Sequence, residues 1–572
     1  MNNAWVFELV IFLLLLITGS VFLGRYMALV FTSRSTFLTP IIRPLEKFLY
    51  YILGINENEE MTWQVYAKNI IILSVLSIAG LFLIQKFQQF LPFNPQQFPG
   101  VRFDTALNTA VSFVTNTNWQ CYSGEASLSY FTQMAGLAVQ NFLSAAVGLA
   151  AAIAFIRAFV PNLNKEKPLF TLGNFWVDLT RSILYILLPL SILFSMIFVS
   201  QGVIQNFHNY VKVKTFSGYE QVIPGGPAAS QIAIKHIGTN GGGFFNANST
   251  HPFENPTPVT DFLQIFGLLI IAAALPFTLG SMLKKPKLGW VIFMSMFIIY
   301  LLGLSVFIYA EFKGNPILHN LGLAPGISME GKEVRISPLS NVLFAHSTTS
   351  TSCGAVNSMH DSLMPLSGLI LIFNMALGEI VFGGVGTGLI GLLLYVMLTM
   401  FIVGLMIGRT AEIFGKKLEP FEMIMAIVAI LTPSIIQLCF GAIAVSTKVG
   451  VVGLNNLGPH GLSEIIYAFA SGAGNNGSAF AGLSANTLFY NLTLAFAMLC
   501  GRFVVIIPAL AIAGALIKKK FVPDSVQFPT QSPVFIVMLI GVILIVGALT
   551  FFPILTLGPI LEHLYMHAGK IF

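Results

Sequence analysis

The stretch Gly238-Thr-Asn-Gly-Gly-Gly-Phe-Phe-Asn246 decides how this chain folds, because it joins two bilayer-length apolar runs and recurs in altered form three more times. Its counterparts read Phe113-Val-Thr-Asn-Thr-Asn-Trp-Gln120, Thr351-Ser-Cys-Gly-Ala-Val-Asn357 and Gly474-Asn-Asn-Gly-Ser-Ala-Phe480. Their centres lie roughly 115 to 125 residues apart, a spacing that suggests internal repeats. The second and fourth align without gaps for some distance, with Phe244 facing Phe480 and Phe253-Glu-Asn255 facing Phe489-Tyr-Asn491. A short, mildly apolar stretch precedes each loop (104–114, 228–237, 339–348, 462–471), and each is expected to form a half-helix dipping back into a membrane.

The composition supplies the membrane. Of 572 residues, 55% are hydrophobic and only 9% charged, against roughly a quarter charged in an ordinary globular chain. A soluble domain with so few charges could not cover its surface. Mean hydropathy of +0.81 agrees. The composition argues against a cytosolic enzyme, a disordered scaffold and a disulfide-stapled module. The net charge of +6 is no nucleic-acid signature, since the basic residues sit at the ends of apolar runs. Four Cys, with Cys439 and Cys500 inside such runs, give no paired framework.

Runs of about 20 apolar residues fall near 5–24, 69–90, 129–156, 180–202, 259–281, 288–310, 366–408, 421–443, 487–514 and 533–556. The first has no basic flank or small-residue cleavage site and reads as a permanent anchor. Basic residues follow alternate spans: Arg25, Arg34, Arg43, Lys47 and Lys68, then Arg157, Lys165, Lys167 and Arg181, then Lys284, Lys285 and Lys287. Arg409, Lys416 and Lys417, and finally Lys518, Lys519 and Lys520, continue the series. By the positive-inside rule those segments are cytoplasmic and both termini face outward. The fold expected is an all-α polytopic membrane protein of about ten spans. Four fused helix–pore loop–helix repeats surround a pseudo-fourfold axis, with one extra transmembrane helix at each end. The division is 1–60 (extra helix and cytoplasmic linker), 61–165, 166–284, 285–415 and 416–520 (the four repeats), and 521–572 (the last helix).

Non-helical backbone at membrane depth is tolerated only where protein buries it or it lines a water-filled cavity. Loops of Thr, Ser, Asn and Gly suit that setting. Glycine permits positive φ, so successive carbonyls can turn toward one axis, and hydroxyl and amide oxygens add neutral ligands. Four such loops could replace the hydration shell of a monovalent cation with roughly eight oxygens. Ca²⁺ or Mg²⁺ would be expected to bring carboxylates, and a transition metal clustered His or Cys; the loop cores hold neither. Neutral oxygens suit K⁺ or Na⁺, and composition does not choose between them. The bland reading, exposed Gly- and Asn-rich turns, is weakened by four occurrences at matched positions.

At these residues the chain resembles a known family. Thr115-Asn-Thr-Asn-Trp-Gln120, Gly238-Thr-Asn-Gly-Gly-Gly-Phe-Phe-Asn-Ala-Asn248 with His251-Pro-Phe-Glu-Asn-Pro256, Ser352-Cys-Gly-Ala-Val-Asn357 and Gly477-Ser-Ala-Phe-Ala-Gly-Leu-Ser-Ala-Asn486 are similar to KdpA sequences. These are the potassium-binding subunits of bacterial ATP-driven Kdp uptake complexes. Gly378-Glu-Ile-Val-Phe-Gly-Gly-Val-Gly386 and Gly404-Leu-Met-Ile-Gly-Arg-Thr410 extend the likeness over nearly the whole chain. The resemblance implies a superfamily of potassium transporters with four fused repeats. It also implies a K⁺ selectivity filter at Thr115, Asn116 and Thr117; Thr239, Asn240 and Gly241; Ser352, Cys353 and Gly354; and Asn475, Asn476 and Gly477. Three of those triplets end in Gly; the first ends in Thr117, which leaves its carbonyl geometry the least determined.

No catalytic site is expected in the chain, which has no Gly-x4-Gly-Lys-Ser/Thr loop and no Asp-Lys-Thr-Gly phosphorylation motif. The resemblance implies instead a P-type ATPase subunit, KdpB, with KdpC and the small KdpF, in a bacterial inner membrane, and K⁺ passed sideways from this chain to KdpB. K⁺ is the transported ion, and no other cofactor or nucleic acid is implied. The runner-up is a self-sufficient ion-coupled potassium transporter of the Trk/Ktr kind, which would share the repeats.

The seventh run is too long. Residues 366–408 would stretch about 64 Å as one helix, twice the hydrocarbon thickness, and are rich in Gly. A broken helix with an intramembrane loop under the filter is expected. Gly386-Thr-Gly-Leu-Ile-Gly391 matches a dinucleotide fingerprint only literally, because no strand context surrounds it. Intramembrane charges default to functional hypotheses: Glu379 and Arg502 qualify, and Arg409 sits at a cytoplasmic end. Gln120, Glu379 and Arg409 are the candidate gate or support positions, Gln120 bracing the first filter from behind. Arg502 is expected to brace the repeats through a carbonyl or acid. Glu125 and Asp361 either concentrate cations or tie loops down, and His360 beside Asp361 is too little for a hydrolase.

Overall fold

Ten helices long and apolar enough to cross a bilayer are present among the described residues. The structure, a computed structural model, describes residues 3–161, 171–324, 326–378, 380–522 and 528–570. The spans run Ala4–Phe31, Trp63–Lys86, Thr132–Arg157, Phe175–Ser200, Pro258–Met282, Pro286–Asn320, Thr387–Ile407, Pro420–Ser446, Leu488–Leu516 and Pro533–His567. Several open on proline at the first helical position, where the missing N–H costs nothing. The third and fifth spans are central, 83% of their apolar windows being buried by protein. The first and tenth, at 17% and 28%, are peripheral and present apolar side chains where lipid would be.

Four short helices lie between paired spans and do not cross: Phe103–Val114, Ala228–Ile237, Pro338–Ser350 and Gly458–Gly474. Nearly every residue of each is buried, as a re-entrant helix requires. Each ends in one of the polar loops, so four helix–loop–helix units share a centre, and the fold expected from the sequence is the fold observed. The first span docks on the fifth through small residues: a side chain at Gly24 would meet the Ala274 carbonyl oxygen at 2.5 Å. Gly547 of the tenth span presses likewise on Leu377 and Phe373. Two short antiparallel ribbons, Val211–Lys214 with Glu220–Ile223 and Glu412–Ile413 with Lys416–Lys417, decorate the connections.

The over-long seventh run is broken, as its length and glycines require. Helix Pro365–Ala376 stops, and Thr387–Ile407 begins after a connection turning at positive φ at Gly378, Phe382, Gly383 and Gly386. The break is enforced by crowding. At Gly386 (φ 92) a side chain would overlap the Gly148 carbonyl of the third span. Glu379 lies outside the described residues.

Between the first two spans, helix Thr39–Leu53 is moored by one carboxylate. Glu46 Oε1 accepts from Tyr50 Oη (2.7 Å) and Arg181 Nε (2.9 Å), and its Oε2 accepts from Tyr185 Oη (2.9 Å) and pairs with Arg43 Nη1 (2.9 Å). Burial pushes the Glu46 carboxyl up, but hydrogen bonds from Arg181, Arg43 and Tyr50 outweigh it and hold the pKa below its ordinary value. Glu46→Ala leaves Arg181 without its carboxylate and should cost about 3–5 kcal/mol, read as a lower thermal midpoint of the purified chain. A lowered folded pKa stabilises fully above the ordinary glutamate value and is lost as pH falls through the folded one. The stability gap between wild type and Glu46→Gln should therefore close at acid pH.

Candidate ion filter

Each re-entrant helix hands over to its loop in the same way. The backbone N–H five residues past a helix carbonyl returns to it: Thr117 to Ser112 (2.9 Å), Asn240 to Lys235 (2.9 Å), Cys353 to Thr348 (3.2 Å) and Asn476 to Ser471 (2.8 Å). The residues on either side of that anchor are at positive φ in all four loops: Asn116 and Asn118, Thr239 and Gly241, Ser352 and Gly354, Asn475 and Gly477. Such alternation gives one strip four times over. In the first loop the pattern falls one residue along from the triplet that the family resemblance implies. The geometric counterparts of Thr239, Asn240 and Gly241 are Asn116, Thr117 and Asn118, and Thr115 takes the helix-terminal place of Gly238, Thr351 and Gly474. In the first loop asparagine, which tolerates the left-handed region better than other side-chain-bearing residues, stands where the other three loops have glycine.

The loops close into a ring. A methyl group on Gly241 would overlap the Cys353 carbonyl, one on Gly354 the Asn476 carbonyl, and one on Gly477 the Thr117 carbonyl. The first loop meets the second through Asn116, whose Nδ2 donates to the Thr239 carbonyl (2.9 Å). Asn475 Nδ2 donates to Thr117 Oγ1 (2.9 Å), and Asn476 Nδ2 donates to the Thr348 carbonyl (2.8 Å). Asn118, Gly241, Gly354 and Gly477 together floor one open cavity of about 530 Å³. Two residues earlier in the third and fourth loops, Ser352 and Asn475 line a smaller cavity of about 50 Å³, shared with Gly378, Ile380 and Thr387 of the broken span. The third and fourth strips thus have a cavity at either end, and no carboxylate belongs to any of the four strips.

The broken span crosses beneath it. Val385 N–H donates to Thr239 Oγ1 (3.0 Å), and Gly383 N–H to the Ser350 carbonyl (2.9 Å). Of the candidate supports, Gln120 stands in the wall of the larger cavity and exchanges two hydrogen bonds with the Gly243 backbone, both 2.9 Å. It braces the first loop against the second. Arg409 is exposed beyond the end of the seventh span, away from the ring. Arg502 is buried, and its Nη2 donates to the Ser144 carbonyl (2.6 Å). The Ser144 hydroxyl touches Asn116 Oδ1 (2.8 Å), so the arginine braces the loops through the third span. Glu125 accepts from Asn246 N–H (2.8 Å) and ties loops together. His360 and Asp361 do not form a dyad: His360 Nδ1 bonds Tyr467 Oη, and Asp361 turns to His460.

Sequence reasoning missed the strongest brace. Lys235 Nζ, fully buried, donates to Glu254 Oε2 (2.7 Å), Ser249 Oγ (3.0 Å) and Asn248 Oδ1. Asn248 Nδ2 in turn donates to the Gly241 carbonyl (2.7 Å), while Glu254 Oε1 accepts from Phe245 N–H (2.8 Å). A lysine inside a re-entrant apolar helix was the available signal. Lys235→Met should cost about 3–5 kcal/mol by leaving Glu254 buried and unpaired. Lys235→Met/Glu254→Gln should recover most of that in thermal denaturation, whereas additive losses would refute the coupling.

Ten spans, four re-entrant loops and an uncharged, oxygen-rich constriction between two cavities define a polytopic membrane transport protein of the four-repeat class. The fold is shared with the crystal structure of the potassium transporter TrkH from Vibrio parahaemolyticus, at TM-score 0.50 and 15% identity over 87% of this chain and 96% of that one. The family model described as KdpA, potassium-transporting ATPase A subunit, matches residues 10–564, and the chain belongs to that family. Relatives named potassium-transporting ATPase potassium-binding subunit include one from Solibacter usitatus, 51% identical with 96% of each chain covered. Others from Koribacter versatilis and Brucella anthropi are 50% identical over the full length of both chains.

Proposed function

We infer that this chain selects and conducts K⁺ as the ion-binding subunit of an ATP-driven potassium importer. One observation carries the reading: four loops with the same alternation of φ interlock around one centre, with oxygen-bearing residues and no fixed charge. A ring of neutral oxygens held at fixed spacing compensates dehydration of a monovalent cation without trapping it, as carboxylates would. The filter positions are Asn116, Thr117 and Asn118; Thr239, Asn240 and Gly241; Ser352, Cys353 and Gly354; and Asn475, Asn476 and Gly477. Thr115 backs the first. The larger cavity is the outward vestibule, with both termini on its side of a bacterial inner membrane. The backbone of the broken seventh span obstructs direct passage below the ring. The ion then leaves sideways, toward an ATPase subunit of the KdpB kind that hydrolyses the ATP, accompanied by KdpC and KdpF. The repeats are those delimited as 61–165, 166–284, 285–415 and 416–520.

The shared TrkH fold is compatible with self-sufficient transport, but the full-length relatives are named as subunits of an ATPase. Reconstituted alone in liposomes, the chain should bind K⁺ without accumulating it. Sustained accumulation without ATP and an ATPase partner would establish the other mode. Gly241→Asp places a side chain on the Cys353 carbonyl and a charge in the ring, and should change discrimination of K⁺ from Rb⁺ and NH₄⁺. Unchanged ion competition in that variant would remove the filter assignment.

A further inference from the structure

Outside the ring, one cluster gathers three carboxylates around a single imidazole. His460, near the start of the fourth re-entrant helix, lies between two carboxylates: Nε2 is 2.8 Å from Asp361 Oδ1, and Nδ1 is 2.8 Å from Glu562 Oε1. One turn along that helix, Glu464 is fully buried. Its Oε1 accepts from Asn456 Nδ2 (2.8 Å), but its Oε2 is buried with no hydrogen-bond partner. Ligand atoms of Asp361, His460 and Glu464 all lie within 4.8 Å of one another. Three carboxylates around one imidazole stay net negative even when the imidazole is protonated. Side-chain exposure is only 9% at Asp361, 11% at His460 and 14% at Glu562, so water screens little of that charge. Gly482 closes one side, for a side chain there would overlap both Asp361 and Glu464.

We propose that Asp361, His460 and Glu464 bind a divalent transition-metal ion, Zn²⁺ by donor set, with Glu562 as the outer carboxylate that orients the imidazole. One imidazole nitrogen and two carboxylate oxygens are ordinary zinc donors, with a fourth position left for water. Bonds of about 2.0–2.1 Å place tetrahedral ligands about 3.4 Å apart. The cluster reaches that spacing if Asp361 and His460, 2.8 Å apart, part by about 0.6 Å and the unpartnered Glu464 oxygen turns onto the ion. A carboxylate accepting the far N–H of a ligating histidine is the usual support of such a site. The ion would join three segments: the chain after the third loop, the fourth re-entrant helix and the end of the tenth span. Met359 and Ala481, neighbours of Asp361 and Gly482, stand in the vestibule wall, so the metal would stiffen that rim.

The test is independent of potassium transport. The full-length chain, purified without a polyhistidine tag and stripped with EDTA, is dialysed against Zn²⁺ alone, and bound metal is counted. One equivalent per chain is expected. Affinity should fall at least about tenfold in His460→Gln and Glu464→Gln, and about 10- to 100-fold in Glu562→Gln. The pair His563, half-buried, and His567, exposed, with ring centroids 4.2 Å apart, is the competing site. Binding that survives Glu464→Gln but disappears in His563→Ala overturns the proposal. So does the absence of a saturable equivalent on the unmutated chain, a result that needs no variant to fold.

Discussion

Contact of one loop's backbone with the next loop's carbonyl is the constraint on which the rest depends. At Gly241, Gly354 and Gly477 there is no room for even a methyl group. Each strip is therefore held by its neighbour, through close backbone contacts at three corners and through the Asn116 amide, which donates to the Thr239 carbonyl, at the fourth. Non-helical backbone at membrane depth is tolerated only where protein buries it or a cavity meets it, and these strips have neighbouring strips at their flanks and a cavity at the end. Asn118 shows how the fourth corner meets this constraint. Its side chain points away and donates to Asn141 Oδ1 (2.9 Å), so a residue with a Cβ occupies the place of a glycine.

Around this neutral ring the structure spends its charges on support. Lys235 and Glu254 are both fully buried beside the second loop and hold the Gly241 carbonyl through Asn248. Arg502 reaches the first and second loops through Ser144. Buried ion pairs contribute little net stability but cost several kcal/mol to break, which suits parts whose task is to hold one geometry. The charges brace the constriction without entering it. A carboxylate within it would bind a cation more strongly and release it more slowly.

The broken seventh span serves the same end. A continuous helix would leave its peptide groups satisfied internally and unavailable to the loops. Unwinding it frees Gly383 and Val385 N–H groups to meet Ser350 and Thr239. The span becomes a floor under the ring, packed so tightly on Gly148 that Gly386 cannot carry a side chain.

Sequence alone determined the ten spans, the fourfold recurrence of the polar loops, a break within residues 366–408 and the neutral character of the constriction. These follow from composition and local pattern: a bilayer sets the length of an apolar run, and glycine-rich polar strings cannot continue a helix inside it. Eleven of the twelve residues proposed for the ring sat among those the family resemblance implies; Asn118, whose place the φ alternation shows, takes the place of Thr115 in that set. Only the tertiary structure decided the first loop's register, the isolation of Arg409 from the ring, the brace of Lys235 and the gathering of Asp361, His460, Glu464 and Glu562. The register is a matter of φ, and the Lys235 brace joins residues of one repeat whose lysine was the signal to follow; the Asp361 cluster joins segments about a hundred residues apart, and such packing leaves no local trace in the chain.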